Sequence, residues 1–163
     1  MLKRRFAIAL ATAVTATFVA GCATGLRPVS VADTLATQAR LSTLSGLVAK
    51  AGLTDTLKAS GPFTVFAPTN EAFAKVPAKT LETLASDPAQ LKAVLGYHVL
   101  PVKVMAADVK NGNSKTLNGA NVALSRAGDF VTVEDAMVVT PDILATNGVV
   151  HVVDSVLLPP ASR

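Results

Sequence analysis

The stretch Asn147–Pro160, reading NGVVHVVDSVLLPP, constrains this chain more than any other. It opens on an Asn-Gly pair, a turn signal at which Gly148 is expected to take a positive φ at no steric cost. Val149, Val150, Val152, Val153 and Val156 make it β-branched and apolar, His151 and Asp154 interrupt it, and Pro159-Pro160 ends it. A strand with one wet face alternates apolar and polar residues, whereas this one carries valine on both faces, as a strand covered on both sides does. A strand so late in a chain is central only if the earlier elements fold back around it.

The preceding sequence supplies such elements. Ser30 followed by Asp33 is a capping-box-like start for a helix over Val31–Arg40. A second helix is expected from about Ser42, with Leu44, Leu47, Val48 and Ala51 on one face and Gly52 as its stop. Another turn of helix covers Leu53–Lys58, and Phe63–Ala67 is a short β-type run ended by Pro68. Thr69 and Asn70 are both able to cap the helix beginning at Glu71–Ala74, and Asn70 is also placed to reach the strand of the 147–160 stretch. Two further helical pieces, marked by Leu81 and Leu84 and by Leu91, Val94 and Leu95, are parted by Asp87-Pro88. The second half changes character: Tyr97–Leu100, Lys115–Leu117, Asn121–Ser125, Phe130–Glu134, Met137–Thr140 and Val149–Val153 are β-type runs separated by Asn-Gly and Gly-Asp pairs. Helices first and strands later is an α+β pattern, since βαβ units would alternate throughout.

The chain has 163 residues, enough for one domain with a real core. Its formal charge of +4 overstates its basicity. Three of its cations, Lys3, Arg4 and Arg5, fall in the first segment, so residues 22–163 carry twelve Lys and Arg against eleven Asp and Glu. No basic field remains for nucleic acid, and the few aromatics form no stacking platform. Residues 1–21 read as an export leader: a basic start, then an apolar stretch from Phe6 to about Ala20, too short to span a bilayer comfortably. Val19-Ala20-Gly21-Cys22 resembles the bacterial lipobox, which implies lipid attachment at Cys22; Ala23 after it points to the outer membrane. The alternatives are ordinary secretory cleavage following Ala23, or an uncleaved anchor. Residues 22–30 then form a tether to the domain at 31–160, with a tail at 161–163. Cys22 is the only cysteine, so an intrachain disulfide is impossible and the fold must rest on core burial.

Three motifs coincide at plausible spacing: TVFAPTNEAF (Thr64–Phe73), YHVL (Tyr97–Leu100) and NGVVHVVDSVLLP (Asn147–Pro159). Together they resemble the two signature blocks and central Tyr-His motif of the fasciclin domain; AGLTDTLKASGP fits before the first motif and TLNGANVAL between the second and third. The resemblance covers about Val31–Pro160. It implies a compact α+β fasciclin fold, a wedge of short strands flanked by helices, in a secreted or membrane-anchored, non-catalytic protein of cell adhesion and matrix attachment. In animal members an Asp-Ile pair before the second block and the Tyr-His region are associated with partner contact; the corresponding residues are Asp142-Ile143 and Tyr97-His98. The implied partner is a surface protein or polysaccharide, with the membrane engaged only through lipid, and with a monomer or weak dimer expected. A single domain must draw avidity from its anchor, clustering or dimerisation.

Read residue by residue, the chemistry is sparse. His151, Asp154 and Ser155 suggest a triad, but alternation along a strand points His151 and Asp154 to opposite sides. His98 and His151 read best as partly buried hydrogen-bonding residues, and neither a carboxylate pattern nor a cysteine pair supports a metal site. No cofactor is implied, since no phosphate-cradling glycine loop is present. Glu134-Asp135 reads as a solvated turn. Asp142 reads two ways: as an exposed charge beside an apolar patch formed with Ile143 and Leu144, or as a turn cap with those residues packed inward. Besides an adhesion module, the sequence admits a small-ligand carrier with an apolar pocket between helices and sheet, or a purely structural envelope protein.

Overall fold

The structure is a computed structural model that describes residues 29–159. The leader 1–21, Cys22, the tether as far as residue 28 and the tail at 161–163 lie outside the described residues.

Helix α1 (Val31–Thr37) begins where expected, with Ser30 Oγ accepting from the Asp33 N–H. It is shorter than Val31–Arg40: Gln38 is extended, and a 3-10 turn at Ala39–Leu41 redirects the chain so that Leu41 is buried. Helices α2 (Ser42–Lys50) and α3 (Thr54–Lys58) follow, parted by Gly52 at φ +67. Strand β1 (Phe63–Pro68) leads into α4 (Asn70–Ala74), α5 (Ala78–Ser86) and α6 (Pro88–Tyr97), the last capped by Asp87, whose Oδ1 accepts from Ala89 and Gln90. The rest is β: β2 (Val99–Leu100), β3 (Gly112–Lys115), β4 (Asn121–Ala127), β5 (Phe130–Val133), β6 (Ala136–Ala145) and β7 (Gly148–Val153). They form one seven-stranded order, β2-β1-β7-β6-β5-β4-β3, antiparallel except for the pair β1–β7.

That pairing explains the valine-rich run. Every residue of β7 is buried. Val150 and Val152 face the helices, in a core with Val65 and Ala67 of β1, Leu35, Leu44, Leu57 and Leu95. Val153 and Phe66 face the opposite way, into a second core closed by Val122 and Leu124 of β4 and Val131 and Val133 of β5. The sheet thus folds over β7, which accounts for apolar residues at consecutive positions.

Several local expectations are corrected. Tyr97–Leu100 is not a strand: α6 runs through Tyr97, His98 caps it, and only Val99 and Leu100 pair with β1. The third strand lies at Gly112–Lys115 rather than Lys115–Leu117, because Thr116 Oγ1 and N–H both donate to the Ala120 carbonyl and close a turn there. Met137–Thr140 is only the first part of β6, which continues past Pro141 by register shifts between Val138 and Ile143; irregular pairing is what allows proline inside a strand. Gly148 does not use a positive φ. It is required for space instead: a Cβ there would overlap the carbonyl oxygen of Phe63 and press on Val31.

Candidate functional site

The residues singled out in the sequence sort into pins that hold the sheet and a surface those pins support. Thr69 caps α4 by accepting from the Ala72 N–H at 3.1 Å. Asn70, in contrast, neither caps that helix nor reaches β7. Its side chain accepts from the Thr43 N–H and donates to the Ala39 carbonyl, tying α4 to the entrance of α2. Asn147 makes the long-range connections: its Oδ1 accepts from the Val31 N–H at 2.8 Å, and its Nδ2 donates to the carbonyls of Leu57 and Ala59. The β6–β7 turn therefore holds the start of α1 and the end of α3. Val29 and Ser30 are already docked here, with Thr146 donating to the Val29 carbonyl and Ser30 capping α1. Asp154 accepts from the Met137 N–H, and the Lys75 ammonium donates to its carbonyl.

The two histidines are buried and their tautomers are set by main-chain partners. His98 Nε2 accepts from the Leu157 N–H at 3.0 Å, so Nδ1 carries the proton and donates to the Val94 carbonyl at 2.8 Å. Burial pulls its pKa down to about 4, against a smaller opposing effect of the Val94 carbonyl. His151 has the other tautomer: Nδ1 accepts from the Asp142 N–H at 3.2 Å and Nε2 donates to the Val104 carbonyl at 2.8 Å, with the ring stacked 5.7 Å from that of Phe66. Burial also lowers its pKa, opposed by the Val104 carbonyl and the Asp142 carboxylate. All four ring nitrogens are engaged with backbone, and Asp154 turns towards Met137, so the His151–Asp154–Ser155 sequence does not assemble into a triad. Among the described residues no three His, Cys, Asp or Glu side chains gather as a metal site would require.

Tyr97 is buried, its hydroxyl proton held between the Asn121 carbonyl at 2.9 Å and Glu134 Oε1 at 3.0 Å. Burial, then the Glu134 carboxylate, pushes its pKa up to about 12. Glu134 is thus more than a solvated turn residue. Its Oε1 also accepts from the Ala123 N–H, and its backbone sits at φ +52. Tyr97 and His98 accordingly present no side chain to solvent; what they position does.

Asp142 is the centre of that arrangement. It has φ +57, in the irregular part of β6. Its Oδ1 accepts from the Ala106 N–H at 2.8 Å, while its own N–H donates to His151. Thr64 Oγ1 donates to the Val102 carbonyl and accepts from the Val104 N–H at 2.8 Å. Thr64, His151 and Asp142, from β1, β7 and β6, therefore clamp the segment 101–106 across the sheet, although that segment has no regular structure before Ala106. Ile143 packs inward, half-buried against the helical core. Leu144, paired with Val149, remains 63% exposed on the face that the clamped segment crosses, and Val102 on that segment is 46% exposed. Both readings of the Asp-Ile region hold in part: Asp142 is a structural clamp, Ile143 is inward, and Leu144 is displayed. No local signal could have shown that Thr64 belongs to this cluster.

A family model, the fasciclin domain, matches residues 39–159. The chain belongs to the fasciclin family. A relative from Synechocystis, protein sll1483, is 42% identical over 133 residues, spanning 80% of this chain and 74% of its own length. The cell surface glycolipoprotein MPB83 of Mycobacterium bovis is 35% identical over 146 residues, covering 86% of this chain and 66% of that protein. Among solved structures, a FAS1 domain pair from the insect cell adhesion molecule fasciclin I superposes with a TM-score of 0.68 over 80% of this chain and 51% of that one; at 18% identity it shows the shared fold.

Proposed function

We propose that this fasciclin domain is a non-catalytic attachment module, exported and held at the bacterial envelope by lipid on Cys22, which engages a surface protein or polysaccharide through the face carrying Leu144 and Val102. The observation that carries this reading is the clamp itself. Three buried or half-buried side chains from three strands fix an irregular segment while Leu144 and Val102 stay exposed beside it. A rigid display of apolar residues in a loop-rich region suits recognition, because little ordering entropy is lost on contact. The description of fasciclin I as an adhesion molecule and of MPB83 as a cell surface glycolipoprotein supports the same reading. The Val19–Cys22 lipobox supports the anchor.

The test is a whole-cell attachment assay comparing wild type, a deletion, Cys22→Ser and Leu144→Asp. Attachment should fall in the deletion and in Cys22→Ser, and Leu144→Asp should lower it at least several-fold without changing the amount of folded protein at the surface. A deletion strain that attaches as wild type rules out the adhesion role. Attachment lost in the deletion but intact in Leu144→Asp moves the contact to another face.

A further inference from the structure

On the opposite side of the sheet, a cavity of about 140 Å³ lies beneath helix α5. Its walls are Leu47 of α2, Phe73 of α4, Leu81 and Leu84 of α5, and Leu91 and Leu95 of α6, with His98 reaching its lining. Helix α5 is unusual: none of its nine residues is fully buried, and its principal neighbour is α6. Leu81, Leu84 and Ala85 are half-buried residues turned to the cavity, so the helix roofs an apolar space instead of filling it.

We propose that this cavity is a binding site for an uncharged apolar molecule about the size of a six-membered carbon ring, with α5 as its roof. The chemistry of the walls sets the class of ligand. The polar side chains at the cavity are Thr43 and His98, and both ring nitrogens of His98 are already engaged with the main chain. A charged ligand would lose its hydration with no group of opposite charge to receive it. The volume sets the size, since apolar cavities of roughly 150 Å³ in proteins stay dry and take up benzene. Entry follows from the roof: α5 has no fully buried side chain, so it can lift by giving up only the half-buried contacts of Leu81, Leu84 and Ala85. The site does not depend on the attachment face, which lies across the sheet.

Benzene is the probe, titrated into the full chain with ¹³C-methyl NMR and thermal melting as readouts. Saturable shifts should appear in the methyls of Leu47, Leu81, Leu84 and Leu95 and be absent from Leu144. At about ten times its Kd, benzene should raise the melting temperature by roughly 3–6 °C. Ala85→Phe, which places a ring in the cavity, should melt no lower than wild type and lose the benzene response. If that variant does not fold, Leu84→Ala carries the test: the widened cavity should prefer naphthalene to benzene, the reverse of wild type. The proposal is overturned if benzene gives no saturable shift up to its solubility, if the shifts persist in folded Ala85→Phe, if Leu84→Ala leaves the preference unchanged, or if benzoate binds as tightly as benzene.

Discussion

At the scale of single residues, the molecule relies on polar side chains that satisfy distant backbone. His98 is the sharpest case, because protonating it would turn the acceptor of the Leu157 N–H into a second donor. Its folded pKa of about 4 lies below the unfolded value near 6.5. The unfolded chain therefore takes up the proton first as pH falls, and stability present above pH 6.5 is lost progressively towards pH 4. His151 shifts in the same direction and adds to the loss. Urea unfolding should show stability lower at pH 5 than at pH 7 by roughly 2 kcal/mol from His98 alone; a flat profile would contradict the buried neutral imidazole. Asp142 supplies a second test, since it combines a left-handed backbone with a carboxylate that accepts from Ala106. Asp142→Asn keeps an acceptor and a residue that tolerates positive φ, and should cost less than about 0.5 kcal/mol; Asp142→Ala loses both and should cost roughly 2 kcal/mol in the same assay. Neither role was legible locally. The sequence marked His98, His151, Asp142 and Asn70 as residues to weigh, but their partners stand up to 59 positions away, and Thr64 gave no sign at all of holding Val102 and Val104.

At the scale of elements, legibility followed the strength of the periodic signal. Strand β7 was readable because valine on consecutive positions has one economical explanation, a strand covered on both faces, and both cores are present. The helices α2, α5 and α6 were readable from leucine spacing and from Asp87-Pro88. Boundaries were read poorly where one apolar run spans two elements: Tyr97–Leu100 has a strand's composition, yet tertiary packing keeps Tyr97 on the helix, where its hydroxyl reaches Glu134. Pro141 obscured β6 in the same way, since the register shifts that accommodate it are invisible without the partner strand. The β6–β7 turn is the element most exposed to damage. Gly148 leaves no room for a Cβ against Phe63, so Gly148→Ala should destabilise by more than about 3 kcal/mol, read as a collapse in the chemical-denaturation midpoint. Gly46 has open space around it, and Gly46→Ala should leave that midpoint unchanged or raise it.

At the scale of the whole molecule, charge is a weak lever. Residues 22–163 are balanced to within one positive charge, so affinity for a purified partner should change less than about threefold between 50 and 300 mM salt; a steep dependence would locate the contact on a charged face instead of the Leu144 surface. The larger consequence lies in the order of time. The sheet's one parallel pair, β1 and β7, joins strands that begin 85 residues apart in the chain, at Phe63 and Gly148. Until Val153 has been made, neither core has its dividing wall, and the earlier helices have only a fragment to pack on. Such a chain closes its longest loop last and folds slowly for its size. For the export proposed above, this delay would be useful: the polypeptide would stay threadable through a membrane pore for nearly its whole length, and become compact only on the far side.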